Sequence, residues 1–158
     1  HFEQDSKTQS LMHRLKYDGR TGIGKELGLA FGRKLLEKGW FSDIDVIIPI
    51  PLHRTRELRR GYNQSLFIAE GIGEIYNVPV RSNILKRVVA SDSQTNKSRF
   101  DRSENVKTIF QANSTYLKGK NVLLVDDVVT TGATLIAAGS QLFNCGANKI
   151  HVATLARA

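Results

Sequence analysis

Short apolar runs alternate along this chain with stretches in which apolar residues recur every three or four positions. The runs read as buried strands and the stretches as amphipathic helices. Leu11, Met12 and Leu15 make Ser6 to Tyr17 a short amphipathic helix, broken by Asp18-Gly19-Arg20. Ile23, Leu27, Ala30, Phe31 and Leu35 repeat the pattern from Ile23 to Leu36, with Gly39 as its C′ residue. Val46-Ile47-Ile48-Pro49-Ile50-Pro51 predicts a buried strand entering a proline-stiffened turn, and His53 to Arg60 follows as a polar run. Tyr62 to Tyr76 reads as a third helix, stopped by Asn77 and Pro79. Ile84 to Val89 and Val106 to Phe110 read as short extended segments. Val122 to Asp126 is a further buried strand, Gly132 to Asn144 its helix, and Lys149 to Leu155 a final strand.

Strands alternating with helices predict an α/β fold, a parallel sheet with helices on both faces. Ligands in such sheets bind beyond the carboxyl ends of the strands. Two predicted strand ends carry chemistry: Pro49-Ile50-Pro51-Leu52-His53-Arg54, and Asp126-Asp127. If the strands are parallel, both lie at one edge. The segment from Ala90 to Asn105 is polar, rich in Ser, Asp, Asn and Lys, and a polar insert of that length in a compact domain is usually functional or mobile. The 158 residues predict a single domain, with a helical N-terminal part over 1–40 and a candidate mobile loop over 90–105.

The run from Val122 to Thr134 is the most specific signal. After the strand come two adjacent acids, then Val128-Val129, then Thr130-Thr131-Gly132-Ala133-Thr134 opening a helix. Such a turn presents backbone N–H groups, backed by the helix dipole, to a phosphate. Gly132 lets the backbone approach closely, and the hydroxyls of Thr130, Thr131 and Thr134 add donors without adding charge. Asp126 and Asp127 can accept hydrogen bonds from sugar hydroxyls or face a metal-bound ligand. One loop would thus hold a 5′-phosphorylated ribose at both ends. A strand-end or helix cap alone would explain one of these residues, not the whole ordered set.

Charge sharpens this picture. The chain has 23 Lys and Arg against 15 Asp and Glu, a formal net charge of +8. Such a balance suits nucleic acid or a polyanionic small substrate. Basic residues cluster at Arg54, Arg56, Arg59 and Arg60 and again at Lys86, Arg87, Lys97, Arg99 and Arg102, whereas Lys34, Lys38, Lys118 and Lys149 read as a solvated face. The single cysteine, Cys145, excludes an internal disulfide and reads as a buried structural thiol. No apolar stretch reaches membrane-span length, and the polar run His1 to Ser10 predicts no leader, so a cytoplasmic protein without a membrane partner is expected. The start at His1 rather than Met suggests a fragment. Trp40, Phe41 and Phe67 are expected to pack, His13 to lie on the surface, and His151 to be core or edge.

The Asp126 to Thr134 run resembles the 5-phosphoribosyl-1-diphosphate (PRPP) motif of type I phosphoribosyltransferases. A narrower resemblance, to the ComF/GntX family, rests on several further segments. They are Pro49 to Arg54, Arg60-Gly61-Tyr62-Asn63-Gln64, Gln94-Thr95, Arg102, Asn105-Val106 and the closing Leu155-Ala156-Arg157. It covers nearly the whole chain from Leu15-Lys16-Tyr17 onward. Many members of that family, linked to DNA uptake in competence, also carry an N-terminal four-cysteine metal segment, which this chain lacks; no metal-ligating residue is assigned.

The resemblance implies a type I phosphoribosyltransferase fold and a division of labour. Asp126 and Asp127 would act at the ribose as catalytic residues. Val129, Thr130, Thr131, Gly132, Ala133 and Thr134 would bind the 5′-phosphate, and Leu52, His53 and Arg54 the diphosphate. Arg59, Arg60, Tyr62, Asn63, Gln64, Gln94, Lys97 and Arg99 are candidates for acceptor recognition or for the closing loop. His53 reads equally well as a turn residue with its ring in solvent. The implied reaction displaces diphosphate from C1 of PRPP by a nitrogen nucleophile. Mg²⁺ would be held mainly through PRPP oxygens and water. The implied partners are PRPP or a nucleoside monophosphate and an unidentified base or amine, with single-stranded DNA and a second copy of the chain also to be considered. A non-catalytic nucleotide or single-stranded DNA binding factor is the competing reading. An amidophosphoribosyltransferase-related activity is a third, weakened by the lack of an N-terminal cysteine nucleophile.

Overall fold

The computed structural model describes residues 21–88 and 109–157. The expected helix over 6–17 with His13, the candidate loop over 90–105 with Gln94, Lys97 and Arg99, and Val106 lie outside the described residues. Three parallel strands form the main sheet in the order β1 (Val46–Pro49), β4 (Asn121–Val129), β5 (Lys149–Arg157). The central run Val122 to Val125 is fully buried. It has no polar alternation because both of its faces are covered.

One face packs against α3 (Gln64–Tyr76), where Ile47, Leu123 and Val125 meet Ile68, Ala69 and Ile72. The helix α1 (Thr21–Glu37) lies against α3 and adds Leu35, Leu27 and Phe31 to this core. The other face carries α5 (Ala133–Asn144), where Val46, Ile48, Val122 and Leu124 meet Ala138 and Leu142. Beside α5 lies an antiparallel pair, β2 (Leu85–Arg87) and β3 (Phe110–Ala112), followed by α4 (Ser114–Leu117). Phe110 and Leu117 are buried in the same core. These two short strands stand apart from the parallel sheet. Of the segment expected over Val106 to Phe110 only the end is described; it enters β3 at Phe110, whose buried ring lies under the Arg87 guanidinium, 5.6 Å from its centroid.

The helix ends follow the residue types that cap them. Gly39 (φ 66°) ends α1, its N–H donating to Leu36 O at 2.9 Å, and Asn77 (φ 53°) ends α3, its N–H donating to Gly73 O. Trp40 departs from its expected packing role. The left-handed turn at Gly39 carries it outward, and its ring stands 55% exposed, edge-on to Phe41. Cys145 is half-buried, in contact with Ala112 O and the core.

The α1–α3 contact depends on glycine. A Cβ on Gly71 would lie 2.4 Å from Lys25 O and 2.5 Å from Leu29 N, and one on Gly28 would lie 2.3 Å from Ile68 O. These are backbone atoms, so no rotamer change relieves the clash. Gly71→Ala therefore forces the two helices apart. A helix-propensity gain of about 1 kcal/mol opposes an overpacking cost of about 3 kcal/mol or more. A net loss of about 2 kcal/mol in urea unfolding is expected; unchanged stability would show that the helices are not in this close contact.

Candidate functional site

The carboxyl ends of β1 and β4 meet, as parallel strands require. Pro49 pairs with Val125, and Ile50 N–H donates to Val125 O at 2.8 Å. Beyond that point β1 has ended, but β4 continues. The acids were expected at a strand end; instead β4 runs on to Val129 because β5, extending to Arg157, pairs with it at Asp126–Thr154, Val128–Ala156 and Val129–Arg157. Asp126 and Asp127 thus sit on a strand flanked by β5 on one side and by the Ile50–Pro51 turn on the other.

The polar run after that turn is a helix, α2 (Arg54–Arg60), which the sequence pattern did not predict. His53 caps it: its Nδ1 accepts from Thr55 N–H at 3.4 Å and lies 2.8 Å from Thr55 Oγ1. Arg54 is exposed at its start, and Gly61 (φ 78°) ends it. Arg60 Nη1 donates to Gln64 Oε1 at 3.3 Å. The side chains of Arg56 and Arg59 lie outside the described set. The Tyr62 ring packs edge-on to Phe67, with centroids 6.1 Å apart.

Asn63 and Gln64 are buried where α3 begins, Gln64 only 2% exposed. Asn63 Oδ1 accepts from Ser65 N–H at 3.1 Å and its Nδ2 donates to Ile50 O at 3.0 Å, so both ends of its amide hold the scaffold. Arg60 Nε and Gln64 Nε2 are buried donors without a hydrogen-bond partner among the described residues. A buried donor lacking an acceptor costs about 1–3 kcal/mol, so the α2–α3 junction favours an added acceptor atom.

The acids are held firmly. Asp126 Oδ1 accepts from Ser65 Oγ at 2.9 Å and from Asp127 N–H at 3.0 Å, and Asp127 Oδ1 accepts from Val128 N–H at 2.8 Å. Oδ1 of each acid accepts these bonds, and the Asp126 and Asp127 carboxyls also interact with each other side chain to side chain. Burial, reinforced by the Asp127 charge and opposed by the Ser65 hydrogen bond, pushes the Asp126 carboxyl up from 3.8 to about 6. Sequence reasoning missed Ser65. The available signal was a third polar residue, after Asn63 and Gln64, at the start of a helix that must pack on the sheet.

The loop after β4 is open. Thr130 and Thr131 are exposed, Gly132 is left-handed (φ 79°), and Thr131 Oγ1 accepts from Ala133 N–H at 3.3 Å. Gly132 provides no side chain to cap α5, and the first-turn N–H groups of a helix have no intrahelical acceptor. The geometry therefore brings together the acids, the Thr130–Thr134 loop and the Leu52–Arg54 turn at one sheet edge. At the opposite end of the sheet, His151 Nε2 and Lys149 Nζ meet Asp43 at 3.0 and 2.8 Å, which puts His151 on the edge strand as expected. Among the described residues no group of three or more His, Cys, Asp or Glu could hold a metal alone. No described helix is long and apolar enough to cross a membrane.

Residues 78–158 match the family model of the phosphoribosyl transferase domain. Competence protein F of Haemophilus influenzae is 38% identical over 116 residues, covering 72% of this chain and 51% of that protein. DNA utilization protein YhgH of Escherichia coli O157:H7 is 30% identical over 150 residues, covering 93% of this chain and 66% of that protein. The chain thus spans between about half and two thirds of these relatives. Among solved structures, the allosteric regulatory enzyme of purine biosynthesis superposes with a TM-score of 0.57 at 25% identity, covering 83% of this chain and 25% of that one.

Proposed function

The chain belongs to the phosphoribosyl transferase domain family, as a ComF-type, type I phosphoribosyltransferase-like member, and from that premise we propose that it binds PRPP and transfers its phosphoribosyl group to a nitrogen acceptor. The observation that carries this reading is the convergence of Asp126, Asp127 and the Thr130–Thr134 loop on one strand–turn–helix unit beside the Leu52–Arg54 turn. The loop amides and threonine hydroxyls take the 5′-phosphate. The carboxylates of the two acids, each held through Oδ1, take ribose hydroxyls. Leu52, His53 and Arg54 serve the diphosphate, with the backbone of the turn and the exposed Arg54 facing it.

In the reaction the C1–O bond breaks with its electron pair leaving on diphosphate, a C1–N bond forms from the nitrogen lone pair, and the nitrogen's proton passes to the departing diphosphate or to water. Asp126 and Asp127 stabilise positive character at C1 as that happens. Mg²⁺ would be held chiefly by PRPP oxygens and water, with Asp126 and Asp127 alongside. Bound there, it would neutralise charge growing on the leaving diphosphate. The orphan donors Arg60 Nε and Gln64 Nε2 support an acceptor-recognition role for the α2–α3 junction.

The relatives named for competence and DNA utilization, together with the net charge of +8, favour a second reading, a non-catalytic factor that binds nucleotide or single-stranded DNA. One experiment separates the two. Calorimetric titration with PRPP is expected to give binding that tightens with Mg²⁺, while titration with a single-stranded oligonucleotide gives none at physiological salt. No PRPP binding at millimolar concentration sinks the transferase reading. Oligonucleotide binding whose logarithm falls with log salt by about 0.7 per phosphate contact, without PRPP binding, favours the second.

A further inference from the structure

A chain of buried hydrogen bonds at the start of α3 joins the two halves of the site. Ile50 O, where the chain turns into the 51–54 segment, accepts from Asn63 Nδ2 at 3.0 Å. Asn63 Oδ1 accepts from Ser65 N–H at 3.1 Å, and Ser65 Oγ donates to Asp126 Oδ1 at 2.9 Å. Ser65 is 3% exposed. Asn63 already caps the helix, so the Ser65 hydroxyl is not needed for capping. A hydroxyl has one proton to donate, and this one goes across 61 residues of sequence to a carboxylate.

We propose that Ser65 is a positioning residue of the ribose site, fixing Asp126 through Oδ1 so that its carboxylate accepts from a sugar hydroxyl, and tying that acid through Asn63 to the diphosphate turn. The proposal rests on the PRPP reading and deepens it. Asp126 must be an acceptor to serve a sugar hydroxyl, and burial, Asp127 (through its charge, its N–H and its carboxyl) and Ser65 all bear on whether it is. Burial and the neighbouring Asp127 charge favour the protonated form, and the Ser65 hydrogen bond favours the ionised one. No other donor from the packed elements offsets them. In register on β5 stands uncharged Thr154, and the first turn of α3 has no acidic residue. The nearby turn and α2 carry His53, Arg54 and Arg60, the last bonded to Gln64. Without the Ser65 hydroxyl, Asp126 loses its hydroxyl donor and keeps the Asp127 N–H, with the Asp127 carboxyl, which favours its protonated form, still beside it.

The test uses Ser65→Ala and the near-isosteric Ser65→Cys, whose thiol is a weak donor and keeps the buried volume if alanine impairs folding. Two readouts are taken: the ¹³C titration of the Asp126 carboxyl in the ligand-free protein, and PRPP affinity at pH 6.5 and 8.5. In both variants the Asp126 midpoint is expected to rise by about one pH unit, a tenfold change in proton affinity. PRPP affinity should fall about threefold more at pH 6.5 than at pH 8.5, because a midpoint moved from about 6 to about 7 cuts the ionised fraction about threefold at the lower pH and hardly at all at the higher. An unmoved Asp126 midpoint in both variants overturns the proposal, as does an affinity loss equal at the two pH values, which marks a packing role. If the parent protein fails to bind PRPP, the functional reading falls by itself, and the carboxyl titration still decides whether Ser65 controls Asp126.

Discussion

Replacing Asp126 and Asp127 together by Asn is expected to abolish PRPP binding while making the ligand-free protein more stable at neutral pH. The two effects share one cause. The folded protein holds Asp126 partly buried and beside a second carboxyl, and its ionisation is moved up from 3.8 to about 6. Between those values the folded protein binds more protons at this group than the unfolded chain does. Stability therefore falls as pH rises through that window, and the full cost is present above it. At about 1.36 kcal/mol per pKa unit the cost at pH 7 is about 3 kcal/mol at most. Asn keeps an oxygen for Ser65 Oγ and has no charge to bury. Parent and variant should thus unfold alike near pH 4, and the variant should be the more stable by pH 7.

Binding moves the opposite way. Each lost charge-assisted hydrogen bond to a ribose hydroxyl is worth about 1.5–3 kcal/mol. Two of them correspond to about a hundredfold to ten-thousandfold loss of affinity. Urea unfolding of both proteins between pH 4 and 7, and calorimetry with PRPP and Mg²⁺, check the two halves. A double variant that binds PRPP like its parent removes the acids from the site. A parent whose stability does not fall relative to the variant across this range removes the buried-charge argument. Stability given up at a functional carboxyl is a common trade-off.

Much of this was legible in the sequence because it rests on local rules. The unbroken apolar run Val122 to Val125 could only be a strand buried on both faces, and Gly39 and Asn77 stop helices where their types allow left-handed backbone. The turn at Thr130–Thr134 was legible as a strand-to-helix connection because Gly132 suits the left-handed backbone that opens α5. What escaped depends on contacts far apart in sequence. The helix α2 has no apolar periodicity to reveal it: Leu58, its one large apolar residue, is 75% exposed. It stands on its His53 cap and its Gly61 end. The extension of β4 past the acids depends on β5 running alongside to Arg157. Ser65 acquires its role only when α3 folds onto a strand 61 residues later. Periodicity cannot show such a pairing.

The proposed phosphate half of the site yields the second large effect, at Gly132. Its backbone is left-handed (φ 79°), and a Cβ built there meets no atom within 4 Å. Asp and Asn are the side-chain-bearing residues that visit this conformation most readily. Gly132→Asp and Gly132→Asn should therefore fold, with a loss of about 1 kcal/mol for the backbone conformation. Their effects on binding should differ. Asn obstructs the close approach of a phosphate to the Thr130–Thr134 backbone and offers a neutral group in its place. Asp adds a negative charge where the α5 N-terminus would receive an anion, so repulsion is added to obstruction. Loss of one or two amide bonds to a charged phosphate is about 2–4 kcal/mol, which predicts at least a thirtyfold weaker PRPP complex for the Asp variant. The gap between Asp and Asn should narrow as salt rises from about 0.05 to 0.5 M, because screening acts on the repulsion and not on the shape. Titration of both variants at the two salt concentrations, with thermal unfolding as the fold control, measures this. A folded Gly132→Asp protein that binds PRPP like the parent would move the 5′-phosphate away from this loop.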